Sequence, residues 1–397
     1  MNKGVAITGM GIISSIGNTV EENYNSLVQS KNGISKISKI KTRHKDVIKV
    51  GEISFSNDEL ISQLNLPESN NYSRTALLGV IAAKQAIANA NINEDFDCRT
   101  GLISATSVGG MDKTEQYFYE YLTDEKNRKY IEGHHAGDST QKIAAQLGIT
   151  DYVTTISTAC SSSANAIMLG ARLIKAGKLD RVVVGGSDCL SKFTINGFKS
   201  LMILSDTNCA PFDENRKGLN LGEAAAFLVL ESNKIVERDA KKVIAYVSGY
   251  GNANDAFHQT ASSENGDGAT LAMQKALKIS GLKPEQIDYI NAHGTATSNN
   301  DLSESKAIRR IFADTIPDIS STKAFTGHTL AAAAAIEAVY AILALQHNTI
   351  FPNLNFKTSI KETGIVPVTT VKEKEITHVL SNSFGFGGNC STLIFSK

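Results

Sequence analysis

Short apolar and β-branched runs alternate along the chain with longer stretches rich in Ala, Leu and Lys, the arrangement expected of an α/β protein. The pattern predicts strands over 4–11 (GVAITGMG), 99–106 (RTGLISAT), 181–188 (RVVVGGSD), 224–231 (AAAFLVLE), 242–251 (KVIAYVSGYG), 289–294 (YINAHG) and 377–388 (THVLSNSFGFGG). A further strand, YVTTIS, runs into residue 157. Helices are predicted over 73–90, 162–177, 267–281, 303–314 and 330–347. The last opens on a run of alanines, whose small side chains permit close packing, so it reads as a buried central helix.

The pattern also echoes itself. VAITGMGIISSIGN near the start resembles IAYVSGYGNANDA at 244–256, each a strand running into a glycine turn. VVVGGSDCLS and HVLSNSFGFGG form a similar pair. Two related halves, 1–240 and 241–397, are therefore expected, joined where ESNKIVERDAKK is charged and linker-like.

Composition narrows the functional classes. With 397 residues, 42% of them hydrophobic, the chain can bury one large layered core or two fused smaller ones. Forty basic residues balance forty acidic ones, so global charge suggests neither nucleic acid nor an anionic membrane as partner. No apolar run approaches the roughly 20 residues that span a bilayer. The opening MNKGVAITGMGIISSIG resembles a secretion signal in placing Lys3 before apolar residues. Gly9 and Gly11 interrupt its apolar stretch, however, and it reads as a first strand and turn. The five cysteines (Cys98, Cys160, Cys189, Cys209 and Cys390) are odd in number and scattered, without metal-ligand spacing or the density of a disulfide scaffold. A reduced, cytoplasmic compartment fits, where a special cysteine is a nucleophile rather than a bridge.

Cys160 stands out. In STACSSSANAI it follows a strand and precedes a helix, so it faces the positive end of the helix dipole and the free N–H groups of the first turn, both of which lower a thiol pKa. The same serines also read as ordinary helix caps. Thiol catalysis needs a proton carrier. His293 in NAHGTATSNND and His328 in STKAFTGHTLAAAA both sit at strand or loop ends beside glycine and threonine, with Lys323 upstream of His328. Either histidine alone could be a structural group. The turn SNSFGFGGN (381–389) could present backbone N–H groups to an oxyanion, or be a plain tight turn.

Together, TACSSSANAI, NAHGTAT, STKAFTGH and NSFGFGGN, in that order, resemble the β-ketoacyl-[acyl carrier protein] synthases of the condensing-enzyme family. The likeness includes the N-terminal segment and so covers nearly the whole chain. It is nearest to the elongating Cys-His-His type, because the initiating type carries asparagine where His328 stands. The resemblance implies a thiolase-like fold, two α/β halves layered α-β-α-β-α, in a homodimer, with a heterodimer with a related chain left open. It implies that Cys160 accepts the acyl chain, that His293 and His328 assist decarboxylation of malonyl-carrier, and that N–H groups of Cys160 and Phe386 hold an oxyanion. Lys323 matches the family's active-site lysine and Glu337 its salt-bridge partner. Thr295 and Thr297 match hydroxyls that hold the phosphopantetheine arm. Phe386 matches a gating ring, and Phe384 is expected beside it in the substrate site. Acyl carrier protein is the implied partner; no metal and no cofactor beyond its phosphopantetheine arm is expected.

The chain departs from the family at Glu223-Ala224-Ala225-Ala226, usually Gly-rich, and at Leu219, commonly phenylalanine. The helix that carries several carrier-facing bases in relatives retains only Arg74, and Met202 replaces another docking arginine. The basic run 36–49 could compensate or be a solvated surface. A catalytically silent chain-length partner is the alternative reading, although such partners typically lose the cysteine that this chain keeps. A degradative thiolase would use a second cysteine as base; Cys390 falls near the C-terminus, but within a synthase-type GFGGN context.

Overall fold

The computed structural model describes residues 4–92, 98–313 and 315–397. Ten strands form its main sheet: β1 (Val5–Ser14), β2 (Thr100–Ala105), β3 (Tyr152–Ile156), β4 (Arg181–Asp188), β5 (Ala224–Glu231), β6 (Ala245–Asn254), β7 (Tyr289–Asn291), β8 (Asp318–Ser320), β9 (His378–Gly385) and β10 (Asn389–Ser396). Their spatial order is β8-β7-β9-β10-β6-β1-β5-β4-β2-β3. Read outward from the centre, the two sides are copies of one another. β1 and β6 each pair antiparallel with the last strand of their half, which pairs antiparallel with the fourth; the remaining two contacts are parallel. The halves meet edge to edge through Val5↔Val247, Ala6↔Tyr246 and Ile7↔Ala245.

The glycines noticed in the sequence echo have the same task in each copy. A Cβ on Gly9 or Gly11 of β1 would lie 2.3 or 2.1 Å from the carbonyl oxygens of Ala86 and Ala82, in helix α1 (Arg74–Asn89). In the second half the helix equivalent to α1 spans Asp267–Ser280, and a Cβ on Gly249 or Gly251 of β6 would lie 2.5 or 2.1 Å from its Ala276 and Ala272 carbonyls. Only glycine permits a strand and helix backbone to approach this closely.

Helices α2 (Ser162–Lys175), α3 (Lys192–Ser200), α4 (Asp267–Ser280), α5 (Ser298–Phe312) and α6 (Ala333–His347) complete the elements that matter here. Alternation along the strands defines the layers. Val182 and Val184 of β4 share a core with α2, α6 and strands of both halves, while Val183 points the other way, into the core under α1. On the far side α4 and α5 pack against Ile290, Leu380 and Ile394. The order is thus α1, first half, α2 with α6, second half, α4 with α5, which is the expected five-layered thiolase-like arrangement. Such strands are covered on both faces, so they read as continuous apolar runs. Leu330–His347 is the one segment among the described residues long and apolar enough to cross a membrane, yet 89% of it is buried inside the protein. It is a core helix.

The structure shifts several expected boundaries. The strand expected at 377–388 stops at Gly385, and Phe386–Gly388 turns the chain back into β10, with Gly387 and Gly388 at φ +79° and +77°. The helix expected at 303–314 begins at Ser298, because Thr297 occupies its N-cap position and Asn300 and Asp301 face inward; Asp314 lies outside the described residues. The charged segment at 231–242 is no loose linker: Ser232 caps a short helix, Asn233–Arg238, through Ile235 N–H, and Ile235 is fully buried. The N-terminal strand and turn are present from Val5, Lys3 lying outside the described residues.

Candidate active site

The nucleophile turn is a tight, strained connection between β3 and α2. Ala159, just before Cys160, has φ +52°, a left-handed conformation unusual for a residue with a Cβ and characteristic of functional turns. Ser162 Oγ accepts from Thr158 N–H at 2.8 Å and donates to Ala159 carbonyl at 2.6 Å, closing the turn on itself. Ser163 Oγ accepts from Ala335 N–H at 2.9 Å and so ties α2 to the start of α6. The glycine turn of the second half packs directly on this one. A Cβ on Gly385 would stand 2.8 Å from Thr158 O and 3.2 Å from Cys160 N.

His328 Nε2 lies 3.0 Å from Cys160 Sγ. Its backbone is pinned by Asn220 O at 2.7 Å and by Gly222 N–H at 2.9 Å, and Gly327, at φ +74°, allows the chain to pass within contact of Leu221. The His293 ring meets that of His328 edge-on, centroids 5.5 Å apart, and lies 5.7 Å from the Phe384 ring. The His293 loop hangs on a carboxylate at the inner face of α5. Glu304 accepts from the N–H groups of His293 at 2.9 Å and Gly294 at 2.8 Å, and from Asn382 at 3.1 Å.

Burial, reinforced by the positive charge of Lys323, holds both imidazoles well below the usual histidine range, so each is neutral and carries one N–H donor. Lys323 itself is buried in an ion pair with Glu337 of α6. Burial lifts Glu337 to about 7 against the pull of that lysine, and lifts Glu304 to about 7 against its two backbone N–H donors. The thiol behaves contrary to the sequence expectation. Cys160 is 6% exposed, and loss of water pushes its pKa up to about 11. Lys323 and the N–H groups of Phe386 and Cys160 itself favour the thiolate, but together they only partly offset the desolvation. The resting pair is a neutral thiol facing a neutral imidazole.

Two cavities meet at Cys160. One, of about 240 Å³, is lined by Cys160, His293, His328, Thr295, Thr297 and Phe384 among others. Thr295 Oγ1 and Thr297 Oγ1 are 2.9 Å apart on its wall. The other, of about 340 Å³, is largely apolar and runs past Val108, Phe193, Leu201 and Leu330. Phe386 and Phe198 of α3, stacked with centroids 5.7 Å apart and planes at 22°, stand between the two and line both. Neither Lys323 nor Glu337 lines either cavity. No group of three or more His, Cys, Asp or Glu among the described residues is arranged to hold a metal ion.

Sequence reasoning missed Glu304, Phe198, Asp188 and Asn389. Asp188, at the end of β4, accepts from the Thr106 and Ser107 hydroxyls at 2.5 Å each and from Ala331 N–H at 2.9 Å, clamping the loop after β2 to the chain that follows His328. Its one visible signal is a carboxylate closing an apolar strand. The retained base and the departing segment prove to be partners: the guanidinium of Arg74 is buried and bidentate on Glu223, at 2.7 and 2.9 Å. Arg74 is therefore not a docking base, since a charge in the interior must be paired there. Met202 is 89% exposed. In the run 36–49, Lys36, Lys39, Lys41, Arg43 and Lys45 are exposed while Ile37 and Ile48 anchor it to the body.

Known proteins give the same picture over the full length. Residues 2–234 match the family model for the N-terminal domain of β-ketoacyl synthases, and residues 244–357 the model for the C-terminal domain. The chain is 33% identical over 412 residues to 3-oxoacyl-[acyl-carrier-protein] synthase 2 of Staphylococcus aureus, covering 100% of this chain and 99% of the relative. Among solved structures, the ishigamide ketosynthase/chain length factor superposes with a TM-score of 0.92 at 29% identity, each chain covered completely. The ketosynthase ApeO, in complex with its chain length factor ApeC from Xenorhabdus doucetiae, gives 0.85 at 32% identity, with coverage of 99% and 98%. With a duplicated half, a thiol at a strand–helix junction and two neutral imidazoles converging on it, this chain belongs to the β-ketoacyl synthase family.

Proposed function

We propose that the protein is an elongating β-ketoacyl-[acyl carrier protein] synthase, extending an acyl chain in fatty-acid or type II polyketide or polyene synthesis. The observation that carries this reading is the convergence of Cys160, His293 and His328 on one cavity, with Sγ and Nε2 at 3.0 Å.

The acyl group arrives as a thioester on the phosphopantetheine arm of acyl carrier protein, held by Thr295 and Thr297. Cys160 sulfur attacks its carbonyl while His328 Nε2 takes the thiol proton, which then passes to the departing phosphopantetheine sulfur. Proton transfer is concerted with attack, because a thiol with a pKa near 11 beside a neutral imidazole supplies little preformed thiolate. The emptied carrier gives way to malonyl-carrier. Loss of CO₂ leaves an enolate whose oxygen is held by N–H groups of His293 and of His328, the latter in the tautomer protonated on Nε2 now that the thiol is acylated, two neutral donors fixed by the fold. The enolate carbon attacks the acyl-Cys160 carbonyl, whose oxygen becomes negative facing the N–H groups of Cys160 and Phe386. Collapse releases Cys160 sulfur as a thiolate, which takes up one proton from solvent to restore the resting thiol, and leaves a β-ketoacyl chain on the carrier. Lys323, neutralised in part by Glu337, supplies a positive field behind the site. Phe386 gates the way to the apolar cavity, where the acyl chain lies, and Phe384 walls the first cavity.

The division into halves 1–240 and 241–397 puts the nucleophile in one and both histidines in the other. We take the working form to be a homodimer: Phe118, Tyr119, Leu122, Phe193 and Met202 are exposed apolar residues, and β3 is an edge strand with half-covered side chains. The likeness to ketosynthase and chain length factor pairs favours, as second reading, a heterodimer in which this chain is one member. Cysteines scattered without the density of a disulfide scaffold suit a cytoplasmic protein.

Incubation with acyl-carrier and malonyl-carrier should release CO₂ and yield a β-ketoacyl-carrier detectable by mass spectrometry. Condensation that survives Cys160→Ala would overturn the nucleophile assignment, and decarboxylation without condensation would favour the accessory role.

A further inference from the structure

We propose that Asn389 is a positioning residue that sets the separation of the two oxyanion donors, the N–H groups of Cys160 and Phe386. This rests on the condensing reaction proposed above. The two donors belong to different halves of the molecule, Cys160 after β3 and Phe386 after β9, and 226 residues separate them in the chain. Something must hold the two turns in register, and one side-chain oxygen does so. Asn389 Oδ1, at the start of β10, accepts from Ser161 Oγ at 2.7 Å, Asn252 Nδ2 at 2.8 Å and Asn165 Nδ2 at 2.9 Å.

The donors come from three elements. Ser161 directly follows the nucleophile, Asn165 is in the first turn of α2, and Asn252 is in β6, the neighbour of β10. Asn165 Nδ2 also reaches Thr158 Oγ1 at 2.9 Å, so the same amide grips both ends of the nucleophile turn. Ser391 Oγ donates to Asn165 Oδ1 at 2.9 Å and closes the cluster. The backbone cannot do this alone, because Gly385 brings the turns into contact without a side chain to fix them. A carbonyl oxygen approached by three donors from three elements, all at least half-buried, is confined to a narrow range of positions. Asn389 touches no reacting atom; it acts through the turns.

The test is Asn389→Ala, with Ser161→Ala as the milder variant removing one donor. Loss of register should lower kcat for condensation between about 10- and 100-fold, the scale of a displacement near 1 Å at reacting atoms, while KM for malonyl-carrier stays within about twofold. Adding Asn252→Ala to Asn389→Ala should bring little further loss, because the residues act as one unit.

Octanal gives a readout that needs no malonyl-carrier. Cys160 sulfur adds to its carbonyl carbon and the thiol proton moves to the oxygen, forming a hemithioacetal whose oxygen sits at the two N–H donors. Its affinity, read as protection of Cys160 from alkylation by iodoacetamide, should weaken at least about tenfold in Asn389→Ala, with the unprotected alkylation rate unchanged. A variant that keeps wild-type kcat and octanal affinity overturns the proposal, as does one in which KM, alkylation rate and melting temperature all move with kcat. If the wild type makes no β-ketoacyl product yet octanal affinity depends on Asn389, the proposed reaction falls and the positioning role stands.

Discussion

Replacing Arg74 by alanine separates two roles for a base on this helix: ligand for an acidic carrier, or counter-charge for the interior. The guanidinium makes two hydrogen bonds to Glu223, at 2.7 and 2.9 Å, and a third to Asn57 Oδ1 at 2.9 Å. Truncation leaves Glu223, 2% exposed, with only the N–H groups of Ile53 and Leu190 as partners. An uncompensated buried charge of this kind costs about 3–5 kcal/mol. With about 2.1 cal/mol/K of unfolding entropy per residue, the 397-residue chain has about 0.8 kcal/mol/K, so the melting temperature should fall by about 4–6 °C. Differential scanning calorimetry of Arg74→Ala beside the wild type measures that shift. Steady-state kinetics below the transition should show KM for acyl-carrier within about twofold of wild type. A melting temperature that does not move, with KM for carrier raised about tenfold, would refute the buried reading and return Arg74 to the docking surface.

Three further outcomes follow from the site. The alkylation rate of Cys160 should keep climbing with pH towards about 11, with no plateau near the ordinary thiol range, because burial disfavours the thiolate; pH-dependent labelling followed by peptide mass spectrometry checks this. Gly385→Ala places a methyl group 2.8 Å from Thr158 O, forcing the two turns apart; condensation should fall at least about tenfold while the far-ultraviolet circular dichroism is kept. Phe198→Ala removes the ring stacked on Phe386 and joins the two cavities, so the product distribution by mass spectrometry should shift to longer or more varied acyl chains.

Local chemistry made much of this legible before any coordinates. The strand and glycine echo between 5–18 and 244–256 foretold the duplication because a helix lies directly on Gly9, Gly11, Gly249 and Gly251, and only glycine tolerates that contact. Cys160, His293 and Phe386 were visible because each follows the end of a strand, and His328 because it follows a glycine in a loop, all beside small residues. What stayed hidden depends on distance along the chain. Arg74 and Glu223 are 149 residues apart, and nothing in either neighbourhood names the other. Asn389 looked like the tail of a glycine turn because its three donors lie in distant segments. The thiol was expected to be acidic because dipole and N–H groups are local and readable, whereas the desolvation that outweighs them is a property of the closed fold. Strand β10 was missed since FGFGG reads as a strand's end, not as a hairpin between two strands.

The seam where β1 meets β6 has a mechanical consequence. Only three residue pairs, Val5–Val247 to Ile7–Ala245, join the two copies strand to strand, and the rest of the join is made by loop and side-chain hydrogen bonds and by packing around α2 and α6. Sulfur and imidazole sit on opposite sides of that join, at 3.0 Å. Catalytic rate therefore works as a strain gauge for the seam. Moderate pressure or sub-denaturing urea that lets the copies slip by a fraction of an ångström should silence the chemistry while every strand and helix is still in place.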